Sequence, residues 1–144
     1  VDLVFTSDNH NYQRTFPLKY NSEDDSSNNP IIADNRQNNY YNYNDDNRGV
    51  IYLTTGTGGR SLYEIEQQAP FVAKQADEHF GFLNIDINDK TLIGTFSVNE
   101  EEDEPQYYSV NEEEDEPQYY SVSNVNYNVI DRFTISNKVS GVSS

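Results

Sequence analysis

Four side chains with acid–base, metal-ligating or phosphate-holding chemistry stand at alternate positions near the start of the chain: Asp8, His10, Tyr12 and Arg14. An imidazole nitrogen and a carboxylate oxygen both suit Fe, Mn or Zn, and a guanidinium suits a phosphate oxygen. The apolar run just before them, Leu3 to Phe5, predicts a short buried strand. The polar quartet therefore leaves the end of a buried strand, where α/β proteins usually keep their chemistry.

The stretch Ser7-Asp8-Asn9-His10-Asn11-Tyr12-Gln13-Arg14, following Val1-Asp-Leu-Val, resembles the last metal-ligand motif of the calcineurin-like metallophosphoesterases, especially the purple acid phosphatase branch. That family reads Gly-His-x-His-x-Tyr-x-Arg after a strand of the same type. His10, Tyr12 and Arg14 match, whereas Ser7 replaces the Gly and Asp8 the first His. The resemblance implies that His10 ligates a metal ion through a ring nitrogen and that Asp8 either offers an oxygen in place of the first imidazole or marks the end of metal binding. It also implies a catalytic role for Tyr12 and Arg14, with Arg14 holding a phosphate oxygen or the turn itself. The implied cofactor is a pair of transition ions (Fe, Zn or Mn), and the implied substrate is a phosphate ester.

Two more segments resemble the same family, in the same order. Val50-Ile-Tyr-Leu-Thr-Thr-Gly-Thr-Gly-Gly-Arg60 reads as a β-branched strand entering a glycine turn at Gly56, Gly58 and Gly59. In the family such a turn lies close to the metal centre. It is neither a dinucleotide fingerprint nor a P-loop, because the third-glycine spacing, the following amphipathic helix and the Gly-Lys-Ser/Thr ending are missing. Further on, Gly81-Phe-Leu, Gly94-Thr-Phe and Val129-Ile-Asp-Arg-Phe-Thr-Ile135 resemble the strands that close the family's catalytic domain. The expected fold is an α/β metallophosphoesterase sandwich, of which these residues form the β-rich C-terminal portion.

Elements can also be read without the resemblance. Leu83, Ile85 and Ile87 alternate with Asn84 and Asp86, the sign of a strand with one buried face. Asn88-Asp89-Lys90 predicts a tight hairpin turn, Leu92 to Phe96 the returning strand, and Val129 to Ile135 a last strand. Residues 62–75 read as one short helix or as irregular turns, with Pro70 interrupting. The Asn/Tyr-rich stretch 20–49 reads as a long loop whose only core anchors are Ile31 and Ile32. Its Asp24-Asp25 and Asp45-Asp46 pairs lack the alternating pattern and glycine of an EF-hand, so loose Ca²⁺ contact competes there with an ordinary solvated turn. His79, after Asp77-Glu78, reads as a structural or surface histidine.

The 144 residues suffice for one domain with a modest core. Net charge is −16, but ten of the 25 acidic residues lie between Glu100 and Glu116. Without them the chain has fifteen acids against nine bases, an ordinary surface charge. The acidity is local. It argues against sequence-independent nucleic-acid binding and against an anionic membrane surface. No run approaches the ~20 apolar residues of a membrane span. With no Cys, neither disulfides nor thiolate metal sites exist. A chain without Met that opens inside a strand, on Val1, reads as a fragment or a processed product.

The acidity belongs to a tandem repeat. Ser97 to Tyr108 is copied without change as Ser109 to Tyr120, and Ser121-Val122 begins a third copy. Each copy joins a five-acid run, which favours solvated structure, to Tyr-Tyr-Ser-Val, which can pair as a strand. The 97–122 insert is expected to be an acidic loop, with cation capture, mineral contact or tyrosine-mediated packing between subunits as its functional alternatives. A dinuclear centre needs more ligands than these residues supply. The family's Gly-Asp-x-x-Tyr and Gly-Asn-His motifs do not occur. Three readings follow: part of a metallophosphoesterase whose activity needs residues absent from this chain, a non-catalytic descendant of one, or an extracellular structural protein that self-associates through Tyr-rich loops and β edges.

Overall fold

The computed structural model describes residues 1–24, 29–42, 49–100, 106–110, 118–122 and 126–137. Twelve strands carry the regular structure, and no helix occurs among the described residues. β1 (Leu3–Thr6), β2 (Tyr12–Thr15), β6 (Ile51–Thr55) and β7 (Val72–Ala76) form one mixed sheet in the order β1-β6-β2-β7. β1 runs parallel to β6, whereas β2 is antiparallel to both β6 and β7. A second sheet has the order β5-β12-β9-β8, from β5 (Tyr40–Asn42), β8 (Gly81–Ile87), β9 (Thr91–Glu100) and β12 (Asn126–Ser136). Two strand pairs stand apart: β3 (Leu18–Lys19) with β4 (Ile31–Ile32), and β10 (Gln106–Val110) with β11 (Gln118–Val122).

The two four-stranded sheets pack face to face. Tyr12, Ile51 and Leu53 from the first meet Tyr41, Phe96, Val98, Phe133 and Ile135 from the second in one buried cluster. Their alternation along each strand puts every second side chain into that layer, and each large apolar side chain fully buried there contributes about 1.5–3 kcal/mol. Gly94 of β9 lies directly opposite Phe133 of β12. A Cβ at position 94 would stand 2.2 Å from the Phe133 ring, so the missing side chain is what lets that ring lie across the neighbouring strand.

A bulge decides what the last strand buries. Val129 pairs with Ser97 and Asp131 with Phe96, so Ile130 is an extra residue on β12. Strict alternation would put Val129 and Asp131 on the same face. Asp131 keeps step with Phe133 and Ile135 in the layer between the sheets, and the extra residue turns Val129 out to solvent, as bulges do when they re-aim a side chain.

Several expectations need correction. The strand at Leu3–Phe5 forms, but at the edge of its sheet. Phe5 sits on the same face as buried Leu53 yet is 54% exposed, because an edge strand has a neighbour on one side only. The long loop is anchored by Ala33 and Tyr41, while Ile31 is exposed: β4 pairs only with the two-residue β3, and β5 joins the second sheet beside β12. Between Leu62 and Ala69 the backbone is irregular, and β7 takes up the end of the stretch that was open to a helix. The hairpin at Asn88 to Lys90 is present, closed by the Asn88 amide donating to the Thr91 carbonyl at 2.9 Å. Its strand β8 alternates as expected, although Ile87 at its tip is exposed. Asp25, Asp45, Asp46 and the stretches 101–105 and 111–117, which hold nearly all of the acidic runs, lie outside the described residues.

Candidate functional site

Because β1 and β6 are parallel, the segments that follow them emerge at the same rim. Thr6 and Thr54 mark its edge, their hydroxyls 3.0 Å apart. Beyond it lie the Ser7–His10 turn and the glycine turn that starts at Gly56. The two are pressed together: the Gly56 amide donates to the Asn11 carbonyl at 3.0 Å, and a Cβ on Gly56 would stand 1.9 Å from the Asn9 carbonyl oxygen and 3.0 Å from the His10 Cα. Only glycine permits this approach. Gly58 and Gly59 follow on the exposed part of the turn, and Gly59 adopts a φ of +112°. Buried Thr57 ties the turn to the second sheet, its hydroxyl donating to the Gly81 carbonyl at 2.9 Å.

His10 is half-buried on this rim and held from two directions. Its ring stacks on Tyr63, centroids 4.2 Å apart and planes 17° from parallel. Its Nδ1 lies 2.9 Å from the Ser61 carbonyl oxygen. A carbonyl only accepts, so Nδ1 carries the proton, and the Nε2 of the neutral ring keeps its lone pair. The Tyr63 amide also donates to the His10 carbonyl at 2.9 Å. Asp8 is exposed on the same turn, and His79 is exposed ahead of β8.

Tyr12 and Arg14 go elsewhere. Both point from β2 into the layer between the sheets, where Tyr12 is 0% and Arg14 1% exposed. The Tyr12 hydroxyl donates to Asp131 Oδ2 at 2.7 Å. Arg14 donates to both oxygens of the same carboxylate, from Nε at 2.7 Å and from NH2 at 3.0 Å. Its NH1 donates to the Tyr41 hydroxyl at 3.2 Å, and the guanidinium carbon lies 5.2 Å from the centroid of the Phe133 ring. Tyr12 stacks on Phe96 at 3.8 Å, with planes 5° from parallel. The network closes β2 onto β5 and β12 and leaves both side chains out of reach of a molecule in solvent.

The electrostatics fit a structural core. Burial, reinforced by the adjacent Asp131 carboxylate, pushes the Tyr12 phenol far above its ordinary range. Burial raises the Tyr41 phenol as well, against the opposing pull of Arg14. Burial disfavours the Arg14 charge, but the hydrogen bonds and charge of Asp131 outweigh it and hold Arg14 protonated more firmly than in water. A buried pair of this kind is neutralised internally, and losing either partner strands the other.

The structure thus brings together His10, Asp8, Gly56, Gly58 and Gly59 at one rim and separates Tyr12 and Arg14 from them. No group of three or more His, Asp or Glu side chains converges among the described residues, so these residues by themselves do not fit a dinuclear metal centre. Sequence reading missed Asp131, although a carboxylate at a core position of the apolar strand Val129–Ile135 was a signal for a buried partner. It also missed Ser61 and Tyr63, for which no local pattern exists. Among the described residues no helix is long and apolar enough to cross a membrane. No family model matches the chain, and neither a curated protein nor a solved structure matches it.

Proposed function

We propose that these residues are the β-rich C-terminal part of a metal-dependent phosphoesterase and contribute one nitrogen donor, His10 Nε2, to a centre whose other ligands lie outside the described residues. The observation that carries this reading is the Nδ1 contact with the Ser61 carbonyl. Metal-ligating histidines almost always donate their second ring N–H to a carbonyl or carboxylate, which fixes the tautomer and aims the other nitrogen. Stacking on Tyr63 and the closely packed Gly56 turn add rigidity at a sheet rim. The sequence resemblance supplies the substrate class, a phosphate ester.

The test is metal analysis and p-nitrophenyl phosphate hydrolysis by the full-length natural product, with a His10→Ala variant beside it. Bound transition metal and hydrolysis are expected, with metal content and rate both falling in the variant. A folded product without transition metal, or a rate indifferent to His10→Ala, overturns the reading.

One observation favours a second reading, a non-catalytic protein that keeps the scaffold. Tyr12 and Arg14, the two motif residues implied to act at a substrate, are sealed between the sheets by Asp131. On that reading the motif survives because it holds the fold together. A metal-free, fully folded, inactive product is its expected signature.

A further inference from the structure

The repeat pairs with itself. β10 and β11 are the same pentapeptide, Gln-Tyr-Tyr-Ser-Val, from consecutive copies of the twelve-residue unit. They run antiparallel, with Gln106 opposite Val122, Tyr108 opposite Tyr120 and Val110 opposite Gln118. The middle residue of one copy therefore faces the middle residue of the other, and the pairing has a local two-fold axis at Tyr108/Tyr120. A strand that pairs with its own sequence about its own midpoint is self-complementary. Nothing in such a register distinguishes a copy on the same chain from a copy on another.

The hairpin also has unused pairing capacity. Among the described residues β10 and β11 form a sheet of two strands only, so each keeps one edge of its backbone without a neighbouring strand. An isolated two-stranded hairpin is marginal in water, and further strands stabilise it. Open edges with strand-forming, uncharged sequence are templates for another chain. Gln-Tyr-Tyr-Ser-Val has no charge, no Pro and no Gly, the composition of a pairing segment. Each copy is preceded by Glu-Glu-Glu-Asp-Glu-Pro, residues 100–105 and 112–117, an arrangement that restrains uncontrolled pairing by like charge and a missing amide donor.

We propose that the β10–β11 hairpin is a self-association element, and that its partner is the same hairpin in a second copy of this chain. The two join edge to edge and antiparallel into a four-stranded sheet, a two-fold arrangement that presents the same segment from both sides. The acidic runs set the conditions. Two chains that each carry ten acidic residues in these runs repel at low ionic strength; salt that shortens the screening length relieves the repulsion, so association tightens as salt is added. The inference is independent of the His10 site, and its test leaves that site untouched.

The experiment is sedimentation velocity on the 144-residue chain across a concentration series, at about 10 mM and about 1 M NaCl. Alongside it runs the double variant Ser109→Pro/Ser121→Pro, which removes one strand amide from each copy. The unmodified chain is expected to shift from monomer toward twice that mass as concentration and salt rise, and the variant to stay monomeric throughout. Circular dichroism of the variant checks that its two core sheets are intact. The unmodified chain remaining monomeric at high salt and concentration overturns the proposal. So does a folded double variant that associates as strongly as the unmodified chain. If the double variant loses its core sheets, the single variant Ser121→Pro, expected to weaken association at least tenfold, takes its place under the same criterion.

Discussion

Arg14 and Asp131 meet through two parallel hydrogen bonds, Nε to Oδ2 at 2.7 Å and NH2 to Oδ1 at 3.0 Å, across 117 residues of sequence and between the two sheets. The side chains are 1% and 3% exposed. Such a pair adds little relative to a well-packed apolar substitute, but it makes each partner indispensable to the other. It also ties β2 to β12 at one point, where the guanidinium and the Tyr12 hydroxyl are both satisfied by a single carboxylate.

Asp131→Asn keeps the shape and removes the charge, leaving Arg14 buried and uncompensated. The expected loss is about 3–5 kcal/mol of unfolding free energy, read from urea denaturation monitored by tyrosine fluorescence. A loss below about 1 kcal/mol would mean that Arg14 reaches water in solution.

Alkaline pH should loosen the core. The pKa of the Tyr12 phenol, and that of Tyr41, is higher in the folded chain than in the unfolded one. Their contribution to stability is therefore fully present below the unfolded tyrosine pKa of about 10 and is lost as pH rises above it. Unfolding free energy is expected to fall above about pH 10, by up to about 1.4 kcal/mol per pH unit for each of the two. In Tyr12→Phe that slope is expected to drop by one tyrosine's share, in denaturant titrations between neutral and strongly alkaline pH. An unchanged slope would refute burial of the Tyr12 hydroxyl.

Gly56→Ala tests the rim. Its Cβ would overlap the Asn9 carbonyl oxygen and press on the His10 backbone, so the two turns must part. Overpacking of this kind costs typically about 1–3 kcal/mol, read as a lower urea midpoint. The His10–Ser61 hydrogen bond should loosen with it, seen as a change in the imidazole nitrogen shifts by NMR. Gly58→Ala is the contrast, because a Cβ there meets nothing within 4 Å. Equal losses in the two variants would contradict the close approach.

What the chain determined locally was strand content and position. Alternation in Leu83 to Ile87, the Asn88 turn and the β-branched run at Ile51–Thr55 all depend on neighbours in sequence, and the two strands and the turn appear where they were read, with Ile87 alone leaving the buried face at the strand tip. The proximity of the His10 turn to the Gly56 turn came only with the parallel pairing of β1 and β6, which puts both carboxyl ends at one rim. The burial of Tyr12 and Arg14 was not legible, because an exposed polar strand end and a buried ionic cluster show the same residue types in sequence. Which it becomes depends on Asp131, 117 residues away in sequence, which shares the inward face of β12 with Phe133 and Ile135. Alternation reports the period of a strand, whereas its neighbours, its edge position and its bulges are set by contacts with residues tens of positions away. That is why Phe5, on the right face of the right strand, still lies open at the edge of its sheet.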